Sequence, residues 1–282
     1  VTFALLNGLL IGSIYALSAM GLTLVAGLMR MVQFAHGEFF VLASYLCARS
    51  LQAGFGLPLA LLSSLLAVFV AGILVEEFLL KRFLQDKTRS MMMTFMLSII
   101  LSNAFLLVFG PYPTRSDPWI EGSVDWIQGL MIGKQRLASG LVAILAFLAF
   151  YLWIRFSRTG RAIRAVAQDS EVAAAFGISP PRIRKIAFGL STALAGLAGV
   201  VLSPIFPVVP DSGSPVTLTA ISVIVIGGMG SIRGAAVSGL LLGLSESFGG
   251  QYLSTQYAPA FGFLLLILTL LFKPQGIYGN RI

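Results

Sequence analysis

Residues 155–185 read RFSRTGRAIRAVAQDSEVAAAFGISPPRIRK. The stretch holds seven bases (Arg155, Arg158, Arg161, Arg164, Arg182, Arg184, Lys185) and two acids (Asp169, Glu171). It is the longest polar interruption in an oily chain, and apolar runs able to cross a bilayer flank it on both sides. Inside it a short helix can be read. Asp169 or Ser170 can cap its start, and Glu171 suits the first turn. Val172 to Phe176 continue it, and Gly177 can supply a left-handed stop. Val172 and Phe176 are four apart and share a face. Ser179 can cap the next helix, with Pro180 at its first position. A short helix with an apolar knob, held between two long helices, fits either a groove of a partner protein or the lipid surface beside its basic anchors.

Composition extends this reading to the whole chain. Of 282 residues, 57% are hydrophobic and 11% are charged, where a soluble domain carries about 25% charged residues. A helix needs about 20 apolar residues to cross the hydrocarbon core. The apolar runs are too long and continuous for barrel strands. The expected fold is therefore all-α: a polytopic transmembrane helical bundle, with residues 1–282 as one transmembrane domain. The net charge of +8 fits Lys and Arg gathered in cytoplasmic loops and does not require nucleic acid. One cysteine, Cys47, excludes an internal disulfide framework and gives no metal cluster. The first apolar segment has no basic region ahead of it and reads as a retained span, not a cleaved signal.

Spans are expected at Thr2–Met29, Phe39–Leu51, Leu59–Leu80, Met91–Phe109, Leu137–Ile154, Ile186–Leu202, Val216–Ile226, Ala235–Leu244 and Ala258–Phe272. That is about nine crossings, and broken or re-entrant helices make it eight to ten. Loops 81–89 and 155–185 are basic and belong inside. Loop 110–136 is neutral and aromatic and belongs outside, with Tyr112, Trp119 and Trp126 as interface anchors. The proline-rich loop 203–215 joins it there. The same alternation sets Arg30 to Glu38 and the glycine segment 227–234 toward the inside, and leaves Arg49 outside. Glu77 and Lys81 are spaced as a helical ion pair.

Polar groups within spans, and breaks between them, are the candidate pathway: Asn7, Tyr15, His36, Glu38, Gly227, Gly228 and Gly230. Intramembrane ionisable residues are rare and often functional. A helix starting near His36 would offer free N–H groups to a carboxylate. Alternatively, His36 and Glu38 satisfy backbone at a helix break. Glu246 either lines the pathway or sits at an interface. Val25 to Met29 and Ile226 to Met229 each precede a break, and paired breaks point to a transport site. The residues supply no paired catalytic set and no metal-ligand set. No Gly-x-x-x-x-Gly-Lys-Ser/Thr loop is present, and Gly133-Lys134-Gln135 is only a fragment of one.

Several motifs carry a family resemblance. Gly160-Arg161-Ala162 through Asp169, Ala173 and Gly177-Ile178 resembles the cytoplasmic coupling loop of importer permeases in ATP-binding cassette transporters. Leu6-Asn7-Gly8, Gly12 to Leu17, Gly21-Leu22-Thr23, Phe34-Ala35-His36-Gly37-Glu38 and Ile226 to Ser231 with Gly234-Ala235 resemble the branched-chain amino acid permease of the LivH type. The resemblance covers essentially the whole chain, and Gln33 stands where that family's pattern has Asn. It implies a multi-pass subunit of the bacterial inner membrane that pairs with a second, LivM-like permease, as a hetero- or homodimer. Two ATPase subunits would dock below and hold ATP-Mg, so this chain would bind no cofactor. A periplasmic binding protein would deliver leucine, isoleucine or valine. Urea, short amides or aromatic acids are the substrates of similar permeases, and a secondary transporter is the alternative class. Under the resemblance Asp169, Glu171, Val172, Phe176 and Gly177 become the coupling contact.

Overall fold

The computed structural model describes residues 1–83, 86–125 and 131–279. Trp126 lies outside the described residues. The elements in chain order are α1 (Thr2–Met29), α2 (His36–Gln52), α3 (Leu57–Phe78), α4 (Lys87–Phe109), β1 (Ser123–Asp125), β2 (Met131–Gly133), α5 (Lys134–Phe156), α6 (Arg158–Gln168), α7 (Ser170–Ala175), α8 (Pro180–Leu202), α9 (Gly213–Gly227), α10 (Ile232–Tyr252) and α11 (Ala258–Phe272). The chain is an all-α polytopic membrane protein. Its small exception is the antiparallel pair β1–β2, which closes the end of loop 110–136.

Among the described residues, six helices are long and apolar enough to cross a membrane, and α9 with α10 makes a seventh candidate as a pair bent by 117°. Of the nine expected spans, α2 falls short with 17 residues, and α9 and α10 qualify only together, as the broken pair. The helices sort by burial. α1 and α8 are covered along most of their length, whereas α3, α4, α5 and α11 turn most of theirs outward. That outward surface is apolar (Leu62, Leu66, Phe95, Ile100, Leu145, Leu271), as a lipid-facing ring must be.

Small residues set the centre. α1 runs antiparallel to α10 with the two backbones nearly touching. A Cβ added to Gly12 would sit 2.8 Å from the Gly239 carbonyl oxygen, and one added to Gly239 would sit 2.7 Å from the Ala16 Cα. Without a hydrophobic drive inside lipid, such close van der Waals contact is what joins helices. α3 packs on α8 through a ridge at four-residue spacing, with Ala60, Ser64, Val68, Gly72 and Glu76 buried. The Thr192 hydroxyl of α8 donates to the Val68 carbonyl at 3.0 Å. α4 is inside-out: its buried residues are Ser90, Thr94, Ser98 and Phe105, so a polar stripe faces the protein.

The polar loops collect at two ends. Arg30, Lys87, Arg164, Gln168 to Glu171, Arg184 and Met229 to Ser231 surround two adjoining cavities at one end. At the other, loop 110–136 is tied to loop 203–215. Thr114 and Val208 exchange backbone hydrogen bonds, Arg115 Nε donates to the Pro204 carbonyl at 3.0 Å, and Ser116 and Ser203 hydroxyls are 3.0 Å apart. The Tyr45 hydroxyl reaches the Val208 carbonyl at 3.4 Å. Arg49, one turn further along α2, therefore belongs to this second end.

One expectation changes here. His36 to Glu38 do not sit at the basic end with Arg30. His36 lies against Ser18, which is 11 residues back from the end of α1, or about 16 Å at the helical rise. After Met29 the chain turns at Arg30 (φ 51°) and re-enters the protein, so α2 begins at depth. Non-helical backbone at such depth requires internal partners. The Phe34 N–H donates to Thr94 Oγ1 at 3.1 Å, the Gly37 N–H to Thr217 Oγ1 at 2.8 Å, and the Thr217 hydroxyl to the Phe34 carbonyl at 3.2 Å.

Candidate functional site

Three regions hold the sequence-predicted residues. The first lies between α1, α10 and α11, toward the neutral end. The Tyr15 hydroxyl donates to Glu246 Oε2 at 2.8 Å, and Asn7 Nδ2 donates to Ser247 Oγ at 3.0 Å. Two cavities meet at this pair. One, of about 330 Å³, has a mostly apolar wall that includes Ile14, Phe40, Val216 and Phe263. The other, of about 480 Å³, is lined by Asn7, Tyr15, Arg136, Phe206, Glu246 and Ser247. Both share Tyr15, Glu246 and Pro259. The Arg136 guanidinium lies 5.7 Å from the centre of the Phe206 ring, within the range of a cation–π contact.

The second region is the re-entrant break. His36 and Glu38 are fully buried and line neither of these cavities. His36 Nε2 lies 3.0 Å from the Ser18 carbonyl, so this nitrogen carries the proton and donates. The Ser98 hydroxyl of α4 donates to Glu38 Oε1 at 2.9 Å. The carboxylate rests against Gly213 at the start of α9, and a Cβ at Gly37 would overlap the Gly213 carbonyl oxygen. The starts of α2 and α9 are thus in backbone contact. In this conformation His36 and Glu38 hold a packed junction of α1, α2, α4 and α9, which is the structural role open to them from sequence. Gln33 is fully buried too, and its amide makes no hydrogen bond among the described residues.

The third region is the basic end. The α9–α10 break contains Gly228 (φ 97°) and Gly230 (φ 84°). Gly227 packs on Gly234, and Gly228 on Gly279. The end of α9 is closed by the C-terminal segment: the Ile277 N–H donates to the Ile226 carbonyl at 2.8 Å and the Tyr278 N–H to the Gly227 carbonyl at 3.0 Å. Those contacts satisfy carbonyls that a helix end leaves free. Gly230 lines a cavity, beside Gly27, Arg30, Arg164 and Tyr278. A Cβ on Gly27 would lie 3.2 Å from the Gly230 Cα, so the two sequence breaks meet in space.

The same end carries α7. Asp169 Oδ1 accepts the N–H groups of Glu171 at 2.9 Å and Val172 at 3.0 Å, so Asp169 and not Ser170 is the cap. Gly177 ends the turn at φ 82°, the left-handed stop. Ala173 anchors the helix, being buried. Val172 and Phe176 are 53% and 83% exposed. Ser179 stands before α8 without a side-chain cap bond, and Pro180 follows as expected.

Sequence reading missed what braces this end. α6 is amphipathic, burying Gly160, Ile163 and Val166. Arg161 donates to the Phe156 carbonyl at 2.8 Å, and Arg164 to the Ile154 and Arg155 carbonyls. Bases that look like lipid anchors therefore close the end of α5. The available signal was the three-residue spacing of Arg158, Arg161 and Arg164 after the capping Ser157. Glu77 pairs with Lys81 at 2.7 Å as expected, and also with Lys185; Arg184 lies 3.8 Å from Glu76. The start of α8 is thereby held to the end of α3. Among the described residues, no His, Cys, Asp or Glu cluster could hold a metal ion.

Comparison with known proteins adds the lineage. PsaBC from Streptococcus pneumoniae, solved in complex with a Fab, superposes with a TM-score of 0.56 at 11% identity, over 96% of this chain and 92% of that one. This likeness concerns the fold alone. The high-affinity branched-chain amino acid transport system permease LivH of Salmonella typhimurium is 34% identical over 293 residues, covering 97% of this chain and 94% of LivH. BraD of Pseudomonas aeruginosa, a permease of the same description, is 35% identical over 292 residues, covering 98% and 95%. The family model described as branched-chain amino acid transport system, permease component, matches residues 4–271. The chain is a multi-pass membrane transport protein, and it belongs to the branched-chain amino acid transport system permease family.

Proposed function

We propose that this chain is the LivH-like subunit of an ATP-driven importer of leucine, isoleucine and valine in the bacterial inner membrane. It pairs with a LivM-like second permease, receives substrate from a periplasmic binding protein, and takes energy from two ATP-binding cassette subunits that hold ATP-Mg. The observation that carries the reading is α7: a capped helix that leaves Phe176 and Val172 exposed at the end where the bases gather. An exposed aromatic beside an aliphatic is the kind of knob that fills a partner's groove. The chain has no phosphate-binding loop of its own, so the motor is a separate protein. The neutral end, with loops 110–136 and 203–215, faces the binding protein.

A route for the motion supports the reading. Only residues 176–179 separate α7 from α8. α8 packs on α1, α2 and α3, and its second turn is tied to Glu76 and Glu77 through Arg184 and Lys185. A displacement of α7 would therefore turn α8 against α1, which carries Tyr15 to the cavities. The chain's part is to bind, orient and alternate access, without covalent chemistry.

The test is uptake into proteoliposomes holding the permease pair and ATPases, with the binding protein added. Leucine, isoleucine and valine should accumulate only with ATP inside the compartment where the ATPases lie, and urea and phenylalanine should compete weakly. Accumulation driven by an ion gradient without ATPase subunits would replace this reading with a secondary transporter.

A further inference from the structure

Glu246 is the one acid of α10, a helix whose other charged residue, Arg233, stands thirteen positions away at its start. Its carboxylate accepts from Tyr15, and among the described residues no base lies within ion-pair distance of it. α11 makes room for it: Gly262 is that helix's buried residue, and a Cβ there would come 2.8 Å from Glu246 Oε1. A carboxylate within a membrane bundle normally pairs or marks a ligand path. Here it opens on two adjoining cavities and is not sealed into the packing.

The surroundings have three parts. Glu246 with the Tyr15 hydroxyl offers an anionic acceptor. Arg136, on the wall of the same cavity of about 480 Å³, offers a fixed cation whose planar fork suits a carboxylate. The adjoining cavity of about 330 Å³ offers Ile14, Phe40, Val216 and Phe263, an aliphatic and aromatic lining. Anion, cation and apolar pocket together are the complement of a zwitterionic α-amino acid with an apolar side chain. Small-molecule sites commonly have this form, an apolar wall with a few placed polar groups.

We propose that this chain by itself carries an amino-acid site between α1, α5, α10 and α11. Glu246, with Tyr15, receives the α-ammonium group, Arg136 receives the α-carboxylate, and the side chain lies toward Phe40 and Phe263. The proposal rests on the importer reading for the choice of amino acids as ligands; the charge complement is independent of it. Tyr15 also ties α1 to α10 through Glu246. Ammonium binding would compete for that carboxylate and so connect occupancy to α1, the helix on which α8 packs.

The experiment measures binding to the permease–ATPase complex in nanodiscs, with the binding protein omitted. The probes are leucine, 4-methylpentanoate (no ammonium) and 3-methylbutylamine (no carboxylate). In the wild type, loss of either charged group should weaken binding about tenfold or more, a change of about 1.4 kcal/mol. Glu246→Gln keeps the shape and should bind leucine and 4-methylpentanoate equally. Arg136→Gln should do the same for leucine and 3-methylbutylamine. A wild type that binds none of the probes, or does not distinguish them, overturns the site. So does Glu246→Gln weakening all three probes by one factor, which is a structural effect, or leaving the discrimination intact. ATP-driven leucine uptake by the wild type is measured in parallel. Uptake without Glu246-dependent discrimination removes this site and leaves the importer reading standing; discrimination without uptake does the reverse.

Discussion

Phe176→Asp leaves the permease folded and inserted, yet cuts ATP-driven uptake by at least tenfold and releases the ATPase subunits on purification. The side chain is 83% exposed, so its removal opens no cavity, and a surface exchange of this kind shifts stability by about 0.5 kcal/mol or less. The helix itself is untouched, because Asp169 caps it and Gly177 stops it. What changes is the surface offered to a partner. A buried aromatic anchor contributes about 2 kcal/mol or more to an interface, and a carboxylate forced into its groove adds a desolvation cost. Val172→Ala, which trims the smaller and less exposed neighbour, should weaken uptake less. Thermal unfolding and size-exclusion profiles equal to wild type, with loss of ATPase co-purification, are the expected pair of results. Normal co-purification and normal uptake would remove α7 from the coupling path.

Gly37→Ala is expected to fail at the other extreme, in the fold. The new methyl would overlap the backbone carbonyl of Gly213 and sit 2.7 Å from Thr217 Oγ1. Neither neighbour can rotate aside, since one is main chain and the other already bonds Gly37 and Phe34. The starts of α2 and α9 must part, breaking the Gly37–Thr217 hydrogen bond and exposing Glu38. Overpacking alone costs about 1–3 kcal/mol, and an unpaired buried donor adds about 1–3 kcal/mol. Loss of about 3 kcal/mol or more should lower the melting temperature sharply or yield aggregate in detergent. Gly133→Ala is the control, because nothing lies within 4 Å of its added Cβ. An unchanged melting temperature for Gly37→Ala would show that the junction is looser than described.

Much of this architecture was legible from local signals. The long apolar runs marked α1, α3, α4, α5, α8 and α11, because lipid demands continuity along the chain. α7 was legible because its cap, first-turn acid and stop lie within nine residues, Asp169 to Gly177. The depth of His36 was not: a sequence shows that a helix breaks, and not that the chain then turns back inward. The polar face of α4 was hidden for a related reason. Ser90, Thr94 and Ser98 are small, and their spacing means little until Glu38 and Phe34 are placed beside them. The Tyr15–Glu246 bond joins residues 231 apart, and Arg136 looks like an ordinary boundary base until the cavity behind it is seen. Of the predicted pathway residues, Asn7 and Tyr15 line that cavity and Gly230 the basic-end one. His36 and Glu38 lie in the packed junction of α1, α2, α4 and α9.

If a separate motor drives this chain through α7, as proposed, a single cysteine placed at the end of that helix will report the contact. The native Cys47 is fully buried, so Phe176→Cys adds one reactive thiol to an otherwise silent surface. In the assembled transporter, a short thiol cross-linker should join the introduced thiol to an ATPase subunit, with a yield that changes between the nucleotide-free and ATP-bound states. Labelling of that thiol that is the same with and without ATPase subunits, and no cross-link in either nucleotide state, would contradict the account.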